Sequence, residues 1–300
     1  MSALSLLLGG PILAVSSGLD GVGDATLPGL LFGALIGLSL GLTGGGGSIF
    51  AVPLLVYGLG VRPREAIGVS LAAVGATALV GCLRRLARGE VEIHTGLIFA
   101  VAGVLGAPAG AWLGGRTPEA VLLVLFAGLM VVVAGRLWAQ AVGRPEEARA
   151  MRAALGPTPA DERGPACRRD PSGRLRLTSR CFAVLVVAGL ATGVLSGLFG
   201  VGGGFVIVPA LVLVTGMGVH RAVATSLLVI ALVGVSGVAS HLAAGRPLPL
   251  DLTGLFVLGG VAGMELGARI GRRLGGPGLL KLFAAAMLAV AAYIVAKTLL

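Results

Sequence analysis

The groups best equipped for chemistry in this chain are backbone amides. A glycine-rich phrase occurs twice, at a constant offset of 156 positions. The first copy, Gly37 to Pro53, reads G-L-S-L-G-L-T-G-G-G-G-S-I-F-A-V-P, and the second, Gly193 to Pro209, reads G-V-L-S-G-L-F-G-V-G-G-G-F-V-I-V-P. The glycine run Gly44–Gly47 would cost about 1 kcal/mol per residue inside a helix, so the backbone should unwind there. A glycine run that opens a helix leaves N–H groups free at its start, and the helix dipole adds about half a positive charge. Helices starting near Gly47 and Gly203 would present such ends to an oxyanion without burying a basic side chain. Hydroxyls nearby could complete the shell. The candidate substrate-binding set is therefore Thr43, Gly44, Gly45, Gly46, Gly47, Ser48, Ser70, Gly200, Gly202, Gly203, Gly204, Thr225 and Ser226. For Ser70 and Ser226, back-bonding to a helix carbonyl or helix packing is the competing role. Close helix packing is the competing role for the glycines.

Few ionisable side chains compete with these amides. Glu265 falls inside the apolar run Leu252–Ala268, where a carboxylate is a candidate for proton coupling. Arg269 stands four residues later, so an ion pair within the helix is the alternative. The position matching Glu265 in the first copy is close to Pro108, so the carboxylate is not part of the duplication. His94, His220 and His241 have no metal-ligand spacing, and neither a metal site nor a cofactor is expected. His241 is the deeper of them and the second proton-coupling candidate. His220 and Arg221 are expected at the start of a helix, near the membrane surface. Pro53 and Pro209 each free a carbonyl in their helices, as a kink or as a ligand for Na⁺. Cys82, Cys167 and Cys181 show no motif spacing and are expected to be ordinary small residues without a disulfide framework. Paired carboxylates, a nucleophile with its base and a His/Cys cluster are all missing, which disfavours an enzyme.

The elements that hold these groups are apolar and repeated. The 156-residue offset also carries Gly60 to Gly216, Ala66 to Ala222, Ser70 to Ser226 and Gly89 to Gly245, so the chain is an internal duplication. Hydrophobic residues make up 56% of it and charged residues 12%, against about 25% charged in a soluble domain. Runs such as Ala66–Leu83, Thr95–Leu113, Ala120–Trp138, Phe182–Phe199, Ala222–Ala244, Leu252–Ala268 and Leu279–Ala296 approach or exceed the roughly 17–25 residues of a spanning helix. Each half repeats one order: a short apolar run, the glycine phrase, a second short run, then three long helices. The second run in half one, Ile49–Leu59, is too short to span alone, so the short runs are either separate tilted helices or a re-entrant hairpin. Non-helical backbone at membrane depth survives only where protein buries it or it lines a cavity. A pair of glycine-interrupted segments at corresponding positions is the sequence pointer to a transporter site.

These features predict an all-α integral membrane protein of two duplicated helical halves, with Gly-rich broken or re-entrant helices. Residues 1–26 form a lead-in, 27–140 the first transmembrane repeat, 141–179 a linker rich in Arg and Pro, and 180–300 the second repeat. The apolar run Leu4–Val15 is broken by Gly9, Gly10 and Pro11 and lacks a basic start. An ill-ordered or interfacial lead-in is expected there, with an uncleaved helix as the alternative. The linker should be flexible. Its arginines place it in the cytoplasm as a topology signal, or alternatively as a contact for acidic lipid headgroups. The net charge of +10 lies between apolar segments, which is not a nucleic-acid footprint. In half one the basic cluster Arg84, Arg85 and Arg88 precedes a loop holding only Arg116. In half two Arg246 comes first and Arg269, Arg272 and Arg273 follow. Under the positive-inside rule, equivalent loops then face opposite sides, which argues for inverted repeats; parallel repeats are the alternative.

The second phrase, followed by A-T-S-L at Ala224–Leu227, resembles the TauE/SafE family of sulfite exporters; half one carries the weaker version, with G-V-S-L at Gly68–Leu71. The resemblance covers nearly the whole chain from about Leu27, apart from the linker. It implies a multi-pass transporter of the plasma (inner) membrane, exporting sulfite or an organosulfonate-type anion, with H⁺ or Na⁺ as coupling ion. Its partners would be a small anionic substrate and the lipid bilayer, with no nucleic acid and the oligomeric state left open. Ser48 departs from the pattern, because it stands where the second copy has Gly204. The alternative function is a cation-coupled carrier or channel for a different small anion or metabolite; a non-transporting receptor is disfavoured.

Overall fold

Both halves fold into one series of helices. The computed structural model describes residues 13–43, 46–143, 167–169, 175–176, 178–274 and 277–299. Half one comprises α1 (Leu13–Thr43), the short broken helix α2 (Gly47–Gly58), α3 (Pro63–Leu86), α4 (Ile93–Arg116) and α5 (Glu119–Gly143). Half two comprises α6 (Ser179–Phe199), α7 (Gly204–Thr215), α8 (Val219–Ala243), α9 (Leu250–Leu274) and α10 (Pro277–Leu299). Eight of these helices are long and apolar enough to cross a membrane, four from each half; α2 and α7 are the short ones. The chain is an all-α integral membrane protein. In lipid this is the economical solution, since a helix satisfies its own backbone polar groups. The matched glycines mark the corners of both halves. Gly60 and Gly216 adopt positive φ after the short helices, and Gly89 and Gly245 do so after α3 and α8, a conformation that only glycine adopts freely.

Small residues bring the helices together across the halves. Along α1 and α9, Gly33 faces Phe256, Gly37 faces Gly260 and Gly41 faces Met264. Along α6 and α4, Gly189 faces Phe99, Gly193 faces Gly103 and Gly197 faces Ala107. Each pair runs parallel, and a methyl on Gly37 or Gly193 would overlap the carbonyl opposite. Such close backbone approach replaces the hydrophobic drive that lipid cannot supply. At the centre, α3 and α8 run antiparallel: Gly68 meets His241, Leu71 meets Gly237 and Gly75 meets Gly234. Thr77 and Gly81 of α3 lie beside Gly260 and Met264 of α9, so that pair is parallel, as are α4 and α8 through Gly96–Thr225 and Gly103–Val233. It follows that α1, α3 and α9 point one way and α4, α6 and α8 the other. The outer helices α5 and α10 pack on each other and cover the breaks. Phe126 stacks near Phe199 at 5.6 Å and Phe283 near Phe50 at 6.2 Å between ring centres.

One expectation is overturned, and the described parts of the lead-in and linker add detail to two others. The lead-in is helical from Leu13 and continuous with α1, passing through Pro28; residues 1–12 lie outside the described part. The absence of a disulfide framework is overturned, because Cys167 and Cys181 form a disulfide with Cα atoms 4.8 Å apart. No spacing motif announces that pair; the fold returns the end of the linker to the start of α6. The described end of the linker is anchored rather than loose. Cys167 is buried and its N–H donates to the Val214 carbonyl at 3.1 Å, and Arg168–Arg169 pair antiparallel with Leu175–Arg176. Linker residues 144–166 lie outside the described part.

Candidate functional site

The second glycine phrase breaks the helix as its composition demands. α6 stops at Phe199, and Gly200, Gly202 and Gly203 take left-handed φ of 72°, 66° and 69° before α7 begins at Gly204. All five residues Gly200–Gly204 are buried. A Cβ on Gly202 would lie 3.1 Å from Val74 Cγ1 and 3.3 Å from Ile230 Cγ2. Val74 and Ile230 sit near the midpoints of α3 and α8, so the break lies at mid-depth between one helix from each half. A non-helical backbone there is sheltered by protein, as lipid requires.

Ser70 ties the break to the other half. Its hydroxyl donates to the Gly200 carbonyl at 2.6 Å, with both residues buried. That bond satisfies one of the carbonyls left over where α6 ends. Ser70 thus bonds the motif itself rather than its own helix. Ser226, its repeat partner, donates to the Val223 carbonyl three residues back at 2.9 Å. Thr225 accepts the Glu92 N–H at 3.0 Å and so caps the start of α4. Thr43 donates back to the Ser39 carbonyl at 2.8 Å.

After Thr43 the first phrase is described only from Gly46 onward. Gly44 and Gly45 lie outside the described residues. From Gly46 the chain makes a 3₁₀ turn to Phe50, an α turn Ala51–Pro53 and a π turn Leu54–Gly58. α2 then folds back along α1, Gly47 against Ser39 and Gly58 against Phe32. Ser48 is fully buried and engaged in an interaction. The start of α2 touches α7, so the two phrases meet. Beside them a narrow apolar crevice lies between α1, α3 and α9, lined by Ile36, Leu40, Val74, Thr77, Phe256 and Gly260.

Residues 29–294 match the sequence profile of the family described as "Sulfite exporter TauE/SafE". The chain belongs to the TauE/SafE family. It is similar to a "Probable membrane transporter protein" of Xylella fastidiosa, at 35% identity over 88% of this chain and 92% of that one. It is also similar to the "Probable membrane transporter protein YunE" of Bacillus subtilis, at 29% identity over 82% and 88%. No solved structure matches it significantly. TauE/SafE proteins are membrane transporters rather than enzymes, and this chain is a multi-pass member.

In this TauE/SafE transporter the two proton-coupling candidates sit in unlike places. Glu265 pairs with Arg84 of α3 and lies 3.6 Å from Arg269 Nη2, with its side chain 39% exposed near the ends of α3 and α9. The Arg269 contact is the one its spacing anticipated; the Arg84 contact crosses between halves. His241 is 2% exposed, faces Gly68, and its Nε2 has no hydrogen-bond partner. Gly200 packs on Ile67, the residue before Gly68, so along α3 His241 lies nearer the level of the second break than Glu265, which pairs with Arg84. Among the described residues no group of three His, Cys, Asp or Glu could hold a metal ion. The sequence did not single out Thr192, Ser196 or Thr77, polar residues beside the breaks. The first two form an i, i+4 pair on α6, a signal hidden because their repeat counterparts are Ile36 and Leu40.

Proposed function

We propose that this transporter is an exporter of a small sulfur oxyanion, sulfite or an organosulfonate, in the plasma membrane. The anion would rest at mid-depth beside the glycine breaks. The observation that carries this reading is the buried break Gly200–Gly204, which opens α7 against Val74 and Ile230 from opposite halves. A helix start in a low-dielectric interior attracts an anion through oriented amides, with no buried full charge to compensate. The opposed directions of equivalent helices support inverted repeats, the architecture in which two halves rock about a central site. The arginine-rich end, which includes Arg84, Arg88 and Arg269, is taken as cytoplasmic.

His241 is the better proton-coupling candidate, being buried with Nε2 unpaired; Glu265 is read as a clamp between α3 and α9. The decisive experiment is flux into proteoliposomes. Saturable uptake of sulfite or sulfoacetate is expected, and His241→Gln should abolish its dependence on a pH gradient. Flux restricted to simple carboxylates would reject the sulfur anion. Unchanged pH-gradient dependence in His241→Gln would remove the histidine, and a strict requirement for Na⁺ would replace the proton.

A further inference from the structure

The two glycine phrases differ in chemistry, and we infer that one anion binds at the second copy alone, at the start of α7, with the Ser196 hydroxyl as a direct hydrogen-bond donor. This inference rests on the anion-transport reading above and adds the position and number of sites. Ser196 is 0% exposed and its Oγ has no hydrogen-bond partner. Buried hydroxyls are nearly always paired, and one left alone calls for a function or a guest. Its neighbours do not share this state. Thr192 donates to the Ala188 carbonyl at 2.7 Å and Ser70 to that of Gly200 at 2.6 Å. Ser196 is one helical turn beyond Thr192 and therefore on the same face of α6. That face abuts the start of α7, because a Cβ on Gly203 would stand 2.5 Å from Thr192 Cγ2. The N–H groups of Val206 and Ile207 both donate to the Gly203 carbonyl, at 2.9 and 3.1 Å. The preceding amides, of Gly204 and Phe205, have no acceptor within the helix. An oxyanion seated there meets aligned amides from one side and the Ser196 hydroxyl from another.

The first copy lacks each part of this arrangement. Leu40, the counterpart of Ser196, is 1% exposed and offers no donor. Ser48 stands at the position of Gly204 and puts a side chain where the second copy has none. After the break the chain makes a 3₁₀ turn, an α turn and a π turn, whereas α7 is a 12-residue α-helix. Amides in such a changing spiral do not align into one terminus.

Calorimetric titration of the purified protein with sulfite tests this directly. One equivalent per chain is expected. Ser196→Ala should weaken binding roughly ten- to hundredfold, the loss of a hydrogen bond to a charged partner, and Ser196→Thr should restore most of it. Two equivalents, or a Ser196→Ala affinity within about twofold of the parent, would overturn the inference. Bromide anomalous scattering from soaked crystals keeps the position testable without sulfite. A bromide peak in hydrogen-bond range of Ser196 Oγ supports it, and no peak there overturns it. If the parent protein binds bromide at Ser196 but neither binds nor moves sulfite, the substrate reading fails while the site stands.

Discussion

At the scale of single residues, hydroxyls divide by where their protons go. Thr43 and Thr192 return theirs to their own helices, whereas Ser70 gives its proton to Gly200, 130 positions away in sequence. Removing the Ser70 donor strands a buried carbonyl. Ser70→Ala should therefore destabilise the protein by about 1–3 kcal/mol, read as a lower Tm in detergent. Thr43→Ala breaks a contact within one helix and should lower Tm less. Equal losses would show that the bond between halves carries no special weight. Ser70 and Ser226 were recognisable in the sequence as a repeated pair, and the glycines as a break. Their partners were not, because a hydroxyl carries no mark of the distant carbonyl it will meet. Ser196 was hidden by the duplication itself, since matching the copies sets it opposite Leu40.

At the scale of elements, the stability of the bundle depends on glycine faces that let α1 meet α9 and α4 meet α6. Backbone carbonyls oppose Gly37 and Gly193, so neither neighbour can turn aside as a side chain would. Gly37→Ala and Gly193→Ala should each cost about 1–3 kcal/mol or more through overpacking. Gly128 and Gly135 of α5 are exposed with nothing within 4 Å of an added Cβ. Gly128→Ala should raise stability by about 0.5–1 kcal/mol, the helix preference of alanine over glycine. Thermal melts of the three variants check the contrast, and a uniform response would refute it. Hydropathy made the long helices legible almost to their ends. It did not reveal which helix pairs with which, since every glycine-rich face offers the same smooth surface. Nor did it show that α2 would pass through 3₁₀, α and π turns while α7 stayed α-helical.

At the scale of the whole molecule, the halves are interleaved rather than side by side, and charge separates the two ends of the bundle. By helix direction, Arg84, Arg88, Arg180, Arg221 and Arg269 share one end. Arg64, Arg116 and Arg246 lie at the other beside Glu65 and Glu119. The Cys167–Cys181 disulfide is at the arginine-rich end. Under the proposed orientation this pair faces the cytoplasm, where most cells would hold it reduced. Acid-quenched cells, denatured and then alkylated, should show both thiols free, while the purified, air-oxidised protein treated alike should resist labelling. In that oxidised protein a reductant should lower stability by about 3 kcal/mol, the loop-closure value for a loop of about 15 residues. Cys181→Ser should not respond to reductant. Cysteines still blocked after that denaturation would put this end on the oxidising side and reverse the orientation. The interleaving also bears on how the chain is made. Leu13–Thr43 leaves the ribosome well before its partner Leu250–Leu274 exists, a delay on the order of tens of seconds at about 5–20 residues per second. Throughout that interval the grooved glycine stripe of the newborn first helix has only lipid or an insertion chaperone to lie against. A message truncated before the ninth helix would therefore yield a quality-control substrate rather than half a transporter.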